Sequence, residues 1–166
     1  MPIDSRYRQQ REKPSEDAFQ RILKLAAMRE QSSAKLLNRL ISEGYAEAEV
    51  ESALSKAIEY NIVNDLRYAE SYLRSQRASG KGIAKALRDL QSMQIDISED
   101  EDILSYVLEC EDTEEQHALD LLNRKPPRSR NLREGAYRRL VSAGYSTQVA
   151  SSVSRRWVEA HQRPSA

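Results

Sequence analysis

The sequence is short of the residues that most specialised chemistries need. Among its 166 residues there is one cysteine, Cys110, and there are two histidines, His117 and His161. A single cysteine can neither close an internal disulfide nor build a cysteine zinc cluster. The histidines are far apart in sequence, with no cysteine or carboxylate pattern of a metal site around them, so neither a metal nor a cofactor is expected and both histidines read as surface residues. Gly80-Lys81-Gly82 lacks the spacing and the Lys-Ser/Thr pair of a phosphate-binding P-loop. The acidic run Glu99–Asp102 lacks the alternating ligands and the glycine of a calcium loop, and suits the positive end of a helix instead. Nothing here resembles a catalytic constellation, so the chain is not expected to be an enzyme. No apolar run approaches the ~18–20 residues of a bilayer span, and residues 1–14 are polar, without the apolar core of a signal peptide. A cytoplasmic protein that does not enter membranes is the expectation. Glycine and proline number only five each, and valine and isoleucine are few beside alanine, leucine, glutamate, arginine and serine. That composition favours helices over strands.

What is present is charge, unevenly placed. The 26 basic and 26 acidic residues cancel, but residues 97–120 hold ten acidic residues and no basic one, whereas residues 121–166 hold ten basic and two acidic. Residues 66–96 carry six basic against three acidic. Blocks of this kind face different surroundings, so overall neutrality does not argue against a nucleoprotein partner.

Comparison of the chain with itself shows a period of 50 residues. Leu40, Leu90 and Leu140 fall together, as do Tyr45, Ile95 and Tyr145, and Ile22, Tyr72 and Leu122. Ala53, Ile103 and Val153 align, then Ala57, Val107 and Trp157, then Ile58, Leu108 and Val158. Each unit shows three helical apolar stripes; in the first these are Phe19–Ala26, Leu36–Ile41 and Val50–Ile58. The expected fold is all-α: a polar flexible tail over 1–16, then three-helix repeats over 17–65, 66–113 and 114–162, stacked into an elongated, curved array. Gly44 and Gly144 stand where a helix stops in the left-handed conformation, with Tyr45 and Tyr145 folding back on Leu40 and Leu140. Gln94 holds that place in the second unit, so its ending is built differently or under strain. Ser98–Glu101 and Thr113–Gln116 have capping-box spacing and predict two helix starts. Residues 124–130, with Pro126-Pro127, predict a loop, and Cys110 continues the stripe Ile103, Val107 as a partly buried thiol.

With these residues in view, the sequence resembles the bacterial RecX family over about residues 18–160. The resemblance is strongest in Asn61-Ile62-Val63-Asn64-Asp65-Leu66-Arg67-Tyr68-Ala69, followed by Gly80-Lys81-Gly82, Leu87-Arg88-Asp89-Leu90 and Ile95. Arg29-Glu30-Gln31-Ser32 looks like the first repeat's signature, and Arg138, Leu140 and Gly144-Tyr145 like the third's. The family's architecture is also three tandem three-helix repeats. The resemblance implies a regulator of recombination, DNA repair and the SOS response. Such a protein binds the RecA recombinase and its filament on single-stranded DNA, and inhibits ATP hydrolysis and strand exchange by blocking filament growth or promoting disassembly. The uneven charge adds the expectation that single-stranded DNA is met indirectly or weakly, and a monomer is expected.

The residues to carry such binding are basic. Lys81, Lys85 and Arg88 have spacing i, i+4, i+7, two residues out of phase with Ile83, Leu87 and Leu90, which places them on the opposite face of a helix. Arg67, Arg74 and Arg77 precede them, and Arg138, Arg139, Arg155 and Arg156 belong to the third unit. Two readings fit the first stripe: a solvated face, or a positive strip along a phosphate backbone or an acidic partner surface. Two also fit the C-terminal arginines: outward contacts, for which the guanidinium fork is suited, or internal neutralisation of residues 97–120. Outside the resemblance, the basic faces also allow a helical DNA-binding protein or a protein-interaction scaffold without recombinase specificity.

Overall fold

The computed structural model describes residues 16–162. Of the expected tail, residues 1–15 lie outside the described residues; Glu16 lies within them, paired with Lys24 and 3.9 Å from Arg21. The described residues form helices joined by short turns, with no strand among them: α1 (Ala18–Met28), α2 (Ser33–Glu43), α3 (Glu47–Glu59), α4 (Asp65–Ala78), α5 (Ile83–Ser92), α6 (Glu101–Asp112), α7 (Glu114–Arg124), α8 (Leu132–Ser142) and α9 (Thr147–Gln162). The expected all-α class holds. Packing divides the chain into two compact units, with the division between Tyr68 and Ala69 inside α4.

Side-chain caps set most of the helix starts. Asp17, Ser32, Asp100 and Asn131 each accept from the backbone N–H three residues on, and Asn64 and Ser146 do the same for Arg67 and Val149. The two expected capping boxes do not form. α6 starts three residues later than Ser98, because Asp100 takes the capping role and accepts from the Ile103 N–H at 2.9 Å. Thr113 makes no side-chain cap to α7; its hydroxyl bonds back to the Glu109 carbonyl at 3.0 Å, which ends α6 instead.

The helix ends repeat one device. Gly44 and Gly144 are left-handed (φ +104° and +96°), and Tyr45 and Tyr145 donate their N–H to the Leu40 and Leu140 carbonyls at 3.1 Å, as the sequence predicts. Gln94 builds the same ending at φ +58°, with Ile95 N–H to Leu90 O at 3.0 Å. The strain is therefore accepted rather than avoided. Asn61 (φ +54°) and Gly80 (φ +70°) close α3 and α4 in the same way.

In the first unit α3 packs on α1 and α2 around Ile22, Leu36, Leu40, Val50 and Ala57, all fully buried. In the second unit α9 packs on α7 and α8 around Leu122, Leu140, Tyr145, Val153 and Trp157. Leu90 and Ile95 are buried as well. Ile58 and Leu108, expected in the core, are instead 51% and 61% exposed. The reason is angular. α6 buries Ile103, Val107 and Cys110, at i, i+4, i+7, and Leu104 and Leu108 stand one residue, or about 100°, further round. Cys110 is fully in the core rather than partly buried.

Candidate functional site

The sequence signature around Asn61–Ala69 is a joint between α3 and α4. Asn61 ends α3 in the left-handed conformation, and Asn64 caps α4. Arg67, on the first turn of α4, then reaches back. Its Nε donates to Glu30 at 2.6 Å, and its two terminal nitrogens donate to the Asn61 and Ile62 carbonyls at 3.2 and 3.3 Å. A guanidinium has the planar fork of donors this requires, and a lysine does not. Asp65 closes the same joint by accepting from the Ser33 N–H at 2.8 Å and the Ser33 hydroxyl at 2.5 Å. Arg67 is thus occupied by bonds within its own unit.

Gly80-Lys81-Gly82 forms a second joint, within the second unit. The Gly82 N–H donates to the Ala143 carbonyl and the Lys85 N–H to the Gly144 carbonyl, both at 3.1 Å. The Tyr145 hydroxyl donates to the Gly80 carbonyl at 3.0 Å. A Cβ on Gly82 would stand 2.5 Å from the Tyr145 Cα, so only glycine lets the two turns come this close. Burial pushes the Tyr145 phenol up to about 12. Beneath the turn lies Glu114, a buried carboxylate within the acidic block 97–120. It accepts from the Ile83 N–H at 3.2 Å and so supplies the cap that Gly82 cannot. Burial raises its pKa, opposed by that bond and by Arg77. No spacing in the sequence signals this residue; only the fold brings it under α5.

These joints sort the basic candidates. Lys81 lies in the turn before α5 rather than on it, so the predicted helical stripe consists of Lys85 and Arg88. Both are exposed, opposite buried Ile83 and Leu90. Lys85 pairs with Asp89 at 2.7 Å, while Lys81 and Arg88 have no ion-pair partner among the described residues. Arg74 pairs with Glu70 at 3.0 Å and lies over the Tyr106 ring at 4.6 Å. Arg77 donates to the Cys110 carbonyl at 3.4 Å and to the Thr113 hydroxyl, which ties α4 to the end of α6. Arg138 pairs with Glu134 at 3.3 Å. Arg156 pairs with Glu115 at 2.5 Å, an internal pairing of the basic C-terminal block with the acidic one. Arg155 is exposed without an ion-pair partner among the described residues, and Arg139 is half-buried with its Nε unbonded. His161 is exposed and stacks on Trp157, whereas His117 is half-buried, with its Nδ1 shielded and unbonded, rather than a surface residue. No group of three or more histidine, cysteine or carboxylate side chains able to hold a metal occurs among the described residues, and none of their helices is long and apolar enough to cross a membrane.

The class defined by this arrangement is an all-helical protein whose glycine turns hold exposed basic side chains in fixed positions. No family model matches the chain. It is 32% identical over 111 residues to a regulatory protein RecX of Haemophilus influenzae, an alignment that spans 66% of this chain and 71% of that relative. It is 39% identical over 83 residues to a regulatory protein RecX of Syntrophotalea carbinolica, where the chain spans about half (54%) of the relative's length. Its fold matches a crystal structure of RecX from Lactobacillus salivarius with a TM-score of 0.59 at 22% identity, covering 86% of this chain and 95% of that one. The chain belongs to the RecX family of regulatory proteins.

Proposed function

We propose that the chain is a non-catalytic regulator of homologous recombination and DNA repair, built from three tandem three-helix repeats over 17–65, 66–113 and 114–162. It binds the RecA recombinase and its filament on single-stranded DNA in the cytoplasm. There it inhibits ATP hydrolysis and strand exchange by blocking filament growth or promoting disassembly. Membership of the RecX family carries this reading. The exposed cations Lys81, Lys85 and Arg88, held on and beside α5 by the Gly82–Tyr145 joint, support it, since a filament on DNA presents phosphates and acidic protein surface.

The test is ATP hydrolysis by the recombinase on single-stranded DNA. Substoichiometric protein is expected to slow it, and the triple variant Lys81→Ala, Lys85→Ala, Arg88→Ala is expected to fold normally and inhibit less. If saturating protein leaves both hydrolysis and strand exchange unchanged, the reading is wrong; equal inhibition by the triple variant makes that stripe only a solvated face.

A further inference from the structure

The loop between α7 and α8 encloses a pocket of about 490 Å³ lined by Arg124, Lys125, Pro126, Pro127, Arg128 and Arg139. Four of the six lining residues are cationic and none is acidic. In a folded protein such a concentration of positive charge is normally relieved by carboxylates, as elsewhere in this chain Arg21 is by Glu43, Arg67 by Glu30, Arg74 by Glu70, Arg138 by Glu134 and Arg156 by Glu115. The pocket gathers four cations that no carboxylate among the described residues relieves. Lys125, Arg128 and Arg139 have no ion-pair partner among the described residues, and Arg124 makes only a 3.4 Å bond to the Asp120 carbonyl. The Nε of Arg139 is shielded from solvent with no acceptor, a donor that an incoming anion or an ordered water can satisfy. Arg124 also ties the pocket to the candidate surface, because a Cβ on Gly80 would lie 3.1 Å from its Nη2.

We propose that this pocket is a phosphate site that takes the backbone of single-stranded DNA. Three arginine forks and a lysine converging on one cavity suit the tetrahedral, multiply accepting phosphate group. Pro126-Pro127 stiffens the wall, so the cations are held together before the ligand arrives. A cavity set in a loop admits a flexible single strand, whereas a duplex is rigid over about 150 base pairs and meets a surface rather than a pocket. The phosphate chemistry rests on the pocket alone; the choice of single-stranded DNA rests on the proposed role at the recombinase filament.

Fluorescence anisotropy of a labelled oligo(dT) across a salt series tests this. The full chain is expected to bind with a log affinity that falls linearly with log salt. The variant Lys125→Gln, Arg128→Gln removes two exposed charges. It is expected to bind at least tenfold more weakly at low salt and to lower the salt slope by about 1.4, or roughly 0.7 for each single-strand phosphate that is no longer neutralised. Arg139→Gln, with folding checked by circular dichroism, is expected to weaken binding in the same direction. An unchanged affinity and slope in the folded double variant would overturn the site, as would displacement of the oligonucleotide by an oligo-glutamate of equal length and charge. Pocket-dependent oligonucleotide binding by a protein that leaves the recombinase untouched would keep the site and sink the regulator. Inhibition of the recombinase that survives loss of the pocket, with no change in oligonucleotide binding, would do the reverse.

Discussion

Gly82→Ala isolates the contact between the Gly80-Lys81-Gly82 turn and the Gly144-Tyr145 turn. The backbone of Gly82 is at φ −70°, ψ 148°, which alanine adopts without strain. In an open site the change would stabilise by about 0.4–1 kcal/mol through the unfolded state. The site is not open. The added Cβ would lie 2.5 Å from Tyr145 Cα, 2.6 Å from its N and 2.7 Å from Gly144 C, all of them backbone. Neither turn can relieve this with a side-chain rotation, so they must separate by ~1 Å to reach ordinary contact. Separation puts at risk the bonds from Gly82 N–H to Ala143, Lys85 N–H to Gly144 and the Tyr145 hydroxyl to Gly80. At about 0.5–1.5 kcal/mol net for each bond, against the small gain above, the expected loss is roughly 2–3 kcal/mol. Trp157 reports it directly, being the single tryptophan and buried in the core that contains Tyr145. With a urea dependence of about 1–2 kcal/mol/M, the midpoint followed by Trp157 fluorescence is expected to fall by ~1–3 M. A midpoint within ~0.3 M of the original would refute the claim that the two turns are held in contact by the missing Cβ.

Gln94→Gly should remove the left-handed strain at φ +58° while keeping the Ile95-to-Leu90 bond, raising stability by about 0.5–1 kcal/mol in the same urea assay; a loss would mean that the Gln94 side chain contributes more than its backbone costs. In the first unit, Glu43 accepts from Arg21 at 2.8 and 2.9 Å and from Arg39 at 2.9 Å, and these bonds, chiefly Arg21's, hold its pKa down at about 2 from 4.5. A depressed carboxylate contributes stability above its unfolded pKa and loses it as pH falls, so the loss is expected between pH 4.5 and about 2. Since 28% of the Glu43 side chain is exposed, screening reduces the contribution to roughly 1–2 kcal/mol. Circular dichroism melts across that range should show a shallower decline for Glu43→Gln, and an identical decline would remove Glu43 from the account.

The fold was legible where one local rule suffices. The left-handed glycines at 44 and 144 need only φ > 0 and a following aromatic, and both rules are visible in the sequence. The apolar stripes predicted Leu40, Leu90 and Leu140, each essentially without exposure. Reading failed where two local rules compete. Ser98 and Asp100 are both good caps, and a spacing rule chose the first although the second caps α6. Leu104 and Leu108 belong to a stripe broad enough to read as core, but α6 contacts its neighbours through the adjacent stripe, a choice made by tertiary packing. Glu114 was illegible for the same reason, because its partner, the Ile83 N–H, is 31 residues away.

The same distinction changes what a basic residue in a signature means. Residues 66–96 carry net positive charge, and the sequence leaves open whether their basic stripe is a binding strip or a solvated face. Yet Arg67 holds the α3–α4 joint, Arg77 holds α6, Arg74 and Lys85 pair along their own helices, and only Lys81 and Arg88 remain with neither an ion-pair nor a side-chain hydrogen-bond partner among the described residues. Paired charges project little field beyond a Debye length of about 8 Å. In the C-terminal block, by contrast, Lys125, Arg128, Arg139 and Arg155 are all without ion-pair partners among the described residues, and three of them converge on one pocket. The unpaired positive charge therefore lies less among the residues that mark the family signature than in the loop after α7 and on α8 and α9. The signature fixes the geometry of the turns, and the unpaired arginines beside them supply the charge.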